Sequence, residues 1–133
     1  MKVSDCMTRN VKMAGPTQTL QEAARMMFDL DAGVLPVSEG DRLVGMITDR
    51  DIAVRGVAQG KGPDARVGDV MSKEVRYCYD DEESEAVLRN MGDIQLRRLP
   101  VLNRDKRLIG IVSLADLASV GQTARAGEAL GGI

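Results

Sequence analysis

The chain has no histidine and no tryptophan, and its only aromatic residues are two tyrosines and one phenylalanine. Without histidine it lacks the commonest metal ligand and general base, and no Ser-His or Cys-His catalytic pair can form. The dinucleotide fingerprint Gly-x-Gly-x-x-Gly and the phosphate-loop Gly-Lys-Ser/Thr are also absent. We therefore expect no metal site and no enzyme activity, and three aromatic rings are too few to stack nucleic-acid bases.

An excess of one charge and long apolar runs are missing too. The 18 basic and 20 acidic residues give a net charge of −2, which offers no general attraction to nucleic acid or an anionic membrane. The apolar stretch from Leu108 to Leu117 is too short to span a bilayer. No signal peptide precedes the first motif, at Val3. These features predict a cytoplasmic protein with no nucleic-acid or membrane partner.

What the chain does contain is an internal repeat. Val3–Thr8 returns as Val67–Ser72, and Leu35-Pro36-Val37 returns as Leu99-Pro100-Val101, both 64 residues later. Repetition at a fixed period indicates a duplicated structural unit. We predict one unit over residues 2–58, a linker at 59–66, a second unit over 67–120 and a flexible tail at 121–133.

Each copy predicts the order β-α-β-β-α, and so a mixed α/β (α+β) fold. Apolar residues at helical spacing predict a buried face on the first helix of each copy. In copy one that face comprises Leu20, Ala23, Ala24, Met27 and Leu30. The other predicted elements are extended pieces (11–13, 75–78), strands (34–37, 42–47, 98–102, 107–112) and closing helices (48–57, 113–120).

Two cysteines are present, Cys6 and Cys78. Cys6 occupies the place of Val70 in the other copy, and Cys78 lies between two tyrosines in a predicted strand. Free cysteine is among the most buried residue types. We expect two buried thiols and no disulfide.

Two matching motifs carry the candidate chemistry, Gly45–Asp51 and Gly110–Asp116. In each, glycine permits close approach to the backbone, and a hydroxyl (Thr48 or Ser113) comes three residues before an aspartate. A carboxylate there can accept hydrogen bonds from both hydroxyls of a ribose. The same pattern is also an ordinary helix capping box, so ligand binding and capping both remain open.

The copies differ before the repeated Leu-Pro-Val, where Arg97-Arg98 corresponds to Gly33-Val34. Paired arginines suit phosphate recognition because guanidinium groups bind in a fork geometry. The alternative is two solvated charges, or a salt bridge to Asp93 or Asp105. Asp49, Arg50 and Arg55 are further weak candidates, and the acidic stretch 80–85 is interpreted as a solvated helix start.

Taken together, the repeated motifs resemble a tandem pair of cystathionine-β-synthase (CBS) domains, a Bateman module, of the small stand-alone bacterial type. The resemblance covers residues 2–120. It rests on the Val-x-Asp-x-Met-Ser/Thr openings, the Leu-Pro-Val strands and the Gly-h-h-Ser/Thr-x-x-Asp motifs (h, hydrophobic), each present twice and in order. It implies two pseudo-symmetric units packed through their sheets, with ligand clefts between them, and a disk-like homodimer.

The resemblance also implies a function and its residues. The family binds adenosine-containing regulatory ligands (AMP, ADP, ATP, NAD or S-adenosylmethionine), none of them an obligatory cofactor, and changes conformation or assembly in response. The implied ligand-binding residues are Thr48, Asp51, Ser113 and Asp116 at ribose or phosphate, Arg97 and Arg98 at phosphate, and Val11, Met13, Val75 and Tyr77 beside adenine. An acid at Asp49 in copy one would repel phosphate, so the two clefts should not be equivalent.

The leading hypothesis is thus a ligand-sensing module that acts on its own dimer state or on a separate effector protein. The alternative is a structural or dimerisation module with empty clefts.

Overall fold

The two compact units of the protein do not follow the boundaries of the repeat. The computed structural model describes residues 1–94 and 97–118. The central unit is the continuous segment Lys12–Val75, and the terminal unit combines Met1–Val11 with the chain from Arg76 onward. Each unit therefore holds the opening motif of one repeat and the body of the other. The division into residues 2–58, 59–66 and 67–120 stays a prediction.

The central unit is built around an antiparallel hairpin. Helix α1 (Leu20–Leu30) precedes strands β1 (Val34–Glu39) and β2 (Arg42–Thr48). The hairpin turns at Gly40, whose φ of +63° favours glycine. After β2 come α2 (Asp49–Asp51), a π-helical turn (Ile52–Gly56), a 3₁₀ turn (Val57–Gln59) and α3 (Val67–Val70).

The core of the central unit shows why α1 forms. Thr19 caps the helix by accepting a hydrogen bond from the Glu22 backbone N–H at 3.1 Å. The buried stripe is narrower than predicted, because Ala24 and Leu30 are exposed. Leu30 is the last helical residue, before the left-handed cap at Asp31. The core comprises Leu20, Ala23, Met27, Leu35, Val37, Ile47, Val67 and Val70, with Ala14.

The predicted extended piece at 11–13 is not a strand. Only Ala14 pairs, in a parallel bridge to Val37. Its N–H donates to the Pro36 carbonyl and its carbonyl accepts from the Ser38 N–H, both at 2.9 Å. One isolated bridge does not form the run of paired residues that makes a strand.

The terminal unit repeats this plan with a longer hairpin turn. Its elements are a 3₁₀ turn (Val3–Asp5), β3 (Cys78–Tyr79), α4 (Ser84–Ile94), β4 (Arg98–Leu102), β5 (Leu108–Ser113) and α5 (114–118). Strand β4 lies between β3, which is parallel to it, and β5, which is antiparallel. The predicted strand at 75–78 is thus shifted to 78–79. The predicted end of the last helix and the tail lie outside the described residues.

Asn103 holds the β4–β5 turn, since its Oδ1 accepts from the Asp105 and Arg107 N–H groups at 3.0 Å.

The core of the terminal unit is built in the same way as the core of the central unit. The apolar spacing predicts a buried face on α4 made of Val87, Leu88, Met91 and Ile94. Of these, Val87 and Met91 are buried and Leu88 is half-buried. The core comprises Val3, Cys78, Val87, Met91, Leu99, Val101, Val112 and Leu117.

Both cysteines are free thiols, as predicted. Cys78 is buried, and burial raises the pKa of its thiol to about 12, with Glu82 adding to the effect. Cys6 is only half-buried, which is more exposed than expected for a core residue. Burial also raises its pKa. In the described part of the chain, no helix is long and apolar enough to cross a membrane.

Candidate functional site

The first candidate motif lies where β2 ends and α2 begins. Thr48 Oγ1 accepts from the Asp51 N–H, and Asp51 Oδ2 accepts from the Thr48 N–H, both at 3.0 Å. This reciprocal pair is a capping box. It holds the hydroxyl and the carboxylate side by side at the end of the strand.

The second motif reproduces this geometry at the end of β5. Ser113 Oγ accepts from the Asp116 N–H at 2.9 Å, and the Ser113 N–H donates to Asp116 Oδ2 at 3.2 Å. All four motif residues are half-buried. Among the described residues, Oδ1 of each aspartate accepts no hydrogen bond. Capping therefore uses one carboxylate oxygen in each motif, and the other can accept from a ligand.

The glycine that begins each motif contacts the opening segment of the other repeat. A Cβ on Gly45 would lie 2.7 Å from Met71 Sδ, and one on Gly110 would lie 2.6 Å from Met7 Sδ. The sequence predicted close approach to the backbone at these glycines, and the structure places a methionine thioether there. The repeated Met in Val-x-Asp-x-Met was the available signal for this contact.

Backbone bridges complete this contact. Met46 and Ser72 exchange two hydrogen bonds, at 3.0 and 2.8 Å, and Thr8 and Ile111 do the same at 2.8 and 3.0 Å. Any side chain in place of Gly45 would also meet the Ser72 carbonyl at 2.8 Å. The opening motif thus positions the strand that leads into each hydroxyl–carboxylate pair.

The arginine pair lies beside the second motif. Arg98 is directly opposite Ser113 in the β4–β5 register, and the Arg97 carbonyl accepts from the Leu114 N–H at 2.7 Å. Both arginines are exposed. No ion pair to Asp105 occurs among the described residues, and the Asp93 side chain lies outside them.

The four predicted adenine-flanking residues are divided between the units. Met13 and Val75 lie in the central unit, and Val11 and Tyr77 lie in the terminal unit. The Met13 thioether accepts from the Ser38 hydroxyl at 3.2 Å. Tyr77 is 42 % exposed and packs edge-on against Tyr79. No described hydrogen bond joins these four residues to either motif.

The weaker candidates are used within their own units. Arg55 Nη1 donates to the Val70 and Met71 carbonyls at 3.3 Å, which satisfies the end of α3. In the acidic stretch, Arg104 binds Asp81 with two hydrogen bonds, at 2.8 and 2.6 Å, and lowers the pKa of that carboxyl. Glu82 accepts from the Tyr79 N–H at 2.7 Å.

The described residues form no metal-binding cluster. Within residues 1–94 and 97–118, no group of three or more thiols and carboxylates is placed to hold a metal ion. Each unit thus holds one hydroxyl–carboxylate pair, and the terminal unit also holds two arginines beside its pair.

The sequence has clear relatives. A profile described as CBS domain matches residues 3–56 and 67–122. The CBS domain-containing protein YhcV of Bacillus subtilis is 43% identical over 116 residues, which cover 87% of this chain and 82% of that protein. Hypoxic response protein 1 of Mycobacterium tuberculosis is 39% identical over 116 residues, covering 86% and 80%.

Solved structures share the fold. The crystal structure of Hypoxic Response Protein I with two coordinated zinc ions matches with a TM-score of 0.81 at 37% identity, over 90% of this chain and 98% of that one. The CBS domain pair of protein MJ0100, in complex with 5′-methylthioadenosine and S-adenosyl-L-methionine, matches with a TM-score of 0.80 at 25% identity, over 93% and 98%. The predicted mixed α/β fold is confirmed.

Proposed function

Because the chain belongs to the CBS domain family, as a tandem pair, we propose that it is a regulatory module that binds adenosine-containing ligands. The proposed sites are the motifs Thr48–Asp51 and Ser113–Asp116. The supporting observation is their shared geometry, in which each aspartate keeps one carboxylate oxygen free of described hydrogen bonds. Location in clefts between the units remains what the family resemblance implies.

Each residue type has a chemical role in this proposal. The Oδ1 atoms of Asp51 and Asp116 accept from ribose hydroxyls, since hydrogen bonds to a carboxylate are stronger than those between neutral groups. Arg97 and Arg98 bind phosphate, and the neighbouring hydroxyls donate to the ligand. Apolar contact to adenine comes from Val11, Met13, Val75 and Tyr77. The MJ0100 pair supports this class of ligand because it was crystallised with two adenosine compounds.

The output is a change of conformation or assembly. A ligand shifts an equilibrium only by its differential affinity for the two states. We propose that the cytoplasmic homodimer, or a separate effector protein, responds to that shift. The protein itself is a binding module and not an enzyme.

The test is a thermal-shift panel of AMP, ADP, ATP, NAD and S-adenosylmethionine on the full chain. A ligand at a hundred times its dissociation constant stabilises the native state by about 2.7 kcal/mol. The matched control is the double variant Asp51→Asn/Asp116→Asn, in which the shift should disappear. A shift that persists unchanged in the double variant would place binding elsewhere.

A second candidate function is a structural module with empty sites. It is supported by the capping boxes, which explain both motifs without any ligand. The panel separates the two candidates. The absence of a shift with every ligand at millimolar concentration, in protein free of co-purified nucleotide, favours the structural module.

A further inference from the structure

The motif of the central unit (Gly45–Asp51, the central motif) and that of the terminal unit (Gly110–Asp116, the terminal motif) differ at the residue opposite the hydroxyl. In the β1–β2 register Val34 is opposite Thr48, whereas in the β4–β5 register Arg98 is opposite Ser113. Directly opposed residues in an antiparallel pair have their Cβ atoms about 4.5–5.5 Å apart on one face of the sheet. The Thr48 hydroxyl of the central motif therefore has an apolar neighbour, and the Ser113 hydroxyl of the terminal motif has an arginine.

The preceding residue increases the contrast. The Asp49 N–H donates to the Gly33 carbonyl at 2.9 Å, as the Leu114 N–H does to the Arg97 carbonyl. The two pairs are therefore structurally equivalent. A Cβ on Gly33 would lie 2.8 Å from Asp49 Oδ2, so the carboxylate occupies the space of a side chain at that position. The central motif thus has a carboxylate where the terminal motif has the stem of an arginine.

The equivalent positions carry opposite net charge. In the central motif the five positions 33, 34, 49, 50 and 51 hold two acids, Asp49 and Asp51, and one base, Arg50. The backbone N–H of Arg50 donates to Asp49 Oδ1 at 2.8 Å, which holds this carboxylate in place. In the terminal motif the five equivalent positions 97, 98, 114, 115 and 116 hold two bases, Arg97 and Arg98, and one acid, Asp116. A phosphate is attracted by the terminal set and repelled by the acids of the central set.

We propose that the two motifs select adenosine ligands by the charge of the 5′ substituent. The terminal motif takes 5′-phosphates, such as AMP. The central motif takes adenosines whose 5′ substituent is neutral or cationic, the chemical class of 5′-methylthioadenosine and S-adenosylmethionine. This inference rests on the proposed function and assigns Asp49, with Gly33, as the specificity determinant of the central motif.

Calorimetric titration of the full chain tests each motif separately. Asp116→Asn weakens the terminal motif and leaves the central one, and Asp51→Asn does the reverse. With Asp116→Asn, 5′-methylthioadenosine should bind at least about tenfold more tightly than AMP, equivalent to about 1.4 kcal/mol. With Asp51→Asn, AMP should bind more tightly than adenosine by a similar factor.

Exchanging the determinants between the motifs tests their roles. In the Asp116→Asn background, Asp49→Leu copies the terminal residue and should raise AMP affinity by about tenfold at low salt, with 5′-methylthioadenosine unchanged. Asp64→Leu is the matched control, because it removes an exposed acid of the same unit outside the motif. In the Asp51→Asn background, Arg98→Val should weaken AMP and leave adenosine unchanged. Equal AMP affinity in Asp49→Leu and Asp64→Leu would overturn the assignment of Asp49.

The unaltered protein provides a readout that needs no variant. Met71 packs on Gly45 in the central unit, and Met7 packs on Gly110 in the terminal unit. Methyl NMR of ¹³C-labelled methionine should show 5′-methylthioadenosine moving the Met71 signal first and AMP moving the Met7 signal first. Binding without this discrimination overturns the inference alone. Failure of every adenosine compound to bind overturns the proposed function.

Discussion

The central and terminal units share a backbone framework and differ in the charges around it. In both, a methionine thioether packs on a motif glycine and two hydrogen bonds join the opening segment to the strand. In both, a reciprocal capping box follows. The flanking positions have diverged, with Gly33 and Asp49 in one unit and Arg97 and Leu114 in the other. Duplication has kept the glycine contacts and the capping boxes, whereas the charges at the flanking positions have changed.

The largest expected effect concerns the shared glycine contact. Gly45→Ala and Gly110→Ala should each destabilise the protein by about 1–3 kcal/mol, because the new Cβ overlaps a thioether and a backbone carbonyl. Gly62→Ala is the control, since nothing lies within 4 Å of its Cβ. Urea unfolding measures all three. A much smaller loss in one unit would show that its opening segment can yield, and the shared framework would not be equally rigid.

The buried thiol gives the next effect. Cys78 and Ala14 are equivalent, as each pairs in parallel with the valine of a Leu-Pro-Val strand. The unfolded chain loses its thiol proton near pH 8.5, whereas the folded chain keeps it until about pH 12. Between these values the unfolded state binds fewer protons, so stability falls as pH rises, by at most about 1.4 kcal/mol per pH unit.

Cys78→Ala copies the central unit and should remove this slope. Urea unfolding of both proteins from pH 7 to pH 11 measures it. Below pH 8.5 the thiol is protonated in both states of the unaltered protein. There the free energies of unfolding of the two proteins should differ only by the packing of one sulfur atom. An unchanged slope above pH 9 would assign the alkaline loss to other groups.

A smaller effect tests the two capping boxes against each other. Thr48→Ala and Ser113→Ala each remove an N-cap hydroxyl, and each should cost about 1 kcal/mol. Chemical unfolding at pH 7 measures the loss. The central helix continues through the π turn to Gln59, so a larger loss for Thr48→Ala would show that the cap also supports those turns.

The smallest effect concerns a network of the terminal unit. Arg104 binds Asp81 through two hydrogen bonds and lies 4.0 Å from the centre of the Tyr79 ring. Arg104→Ala should destabilise the protein less than any of the changes above, because the ion pair is exposed and screened. The cost should decline in 1 M NaCl. A loss that is insensitive to salt would assign the contribution to packing on the ring.

Sequence patterns predicted the local parts of this fold. Period-3.6 spacing located α1 and α4, and the repeated hairpins followed from Leu-Pro-Val and the Gly or Asn turns. The narrower stripe of α1 and the single pairing of Ala14 depend on tertiary contacts that a period does not report. The pairing of the opening motifs was hidden for another reason. Because Val3–Thr8 and Val67–Ser72 are alike, either could pair with either strand.

For the candidate site, too, the sequence predicted the local arrangement but not the tertiary contacts. The hydroxyl–carboxylate pairs are local in sequence, and so the capping alternative and the ligand alternative could both be stated. The partners of Arg55 and Gly45 come from the other repeat, about 15 to 26 residues away, and no spacing rule identifies them. The adenine-flanking residues remain predictions.

The exchange of opening segments has a consequence for a chain with one copy of the repeat. Such a half-length protein would leave its motif glycine uncovered and its strand unpaired, with its own opening segment in need of a strand elsewhere. It could satisfy both needs by trading that segment with an identical neighbour, which is reciprocal domain swapping. Gene fusion then turns an encounter that depends on concentration into an intramolecular one, and the fused halves can acquire different ligands.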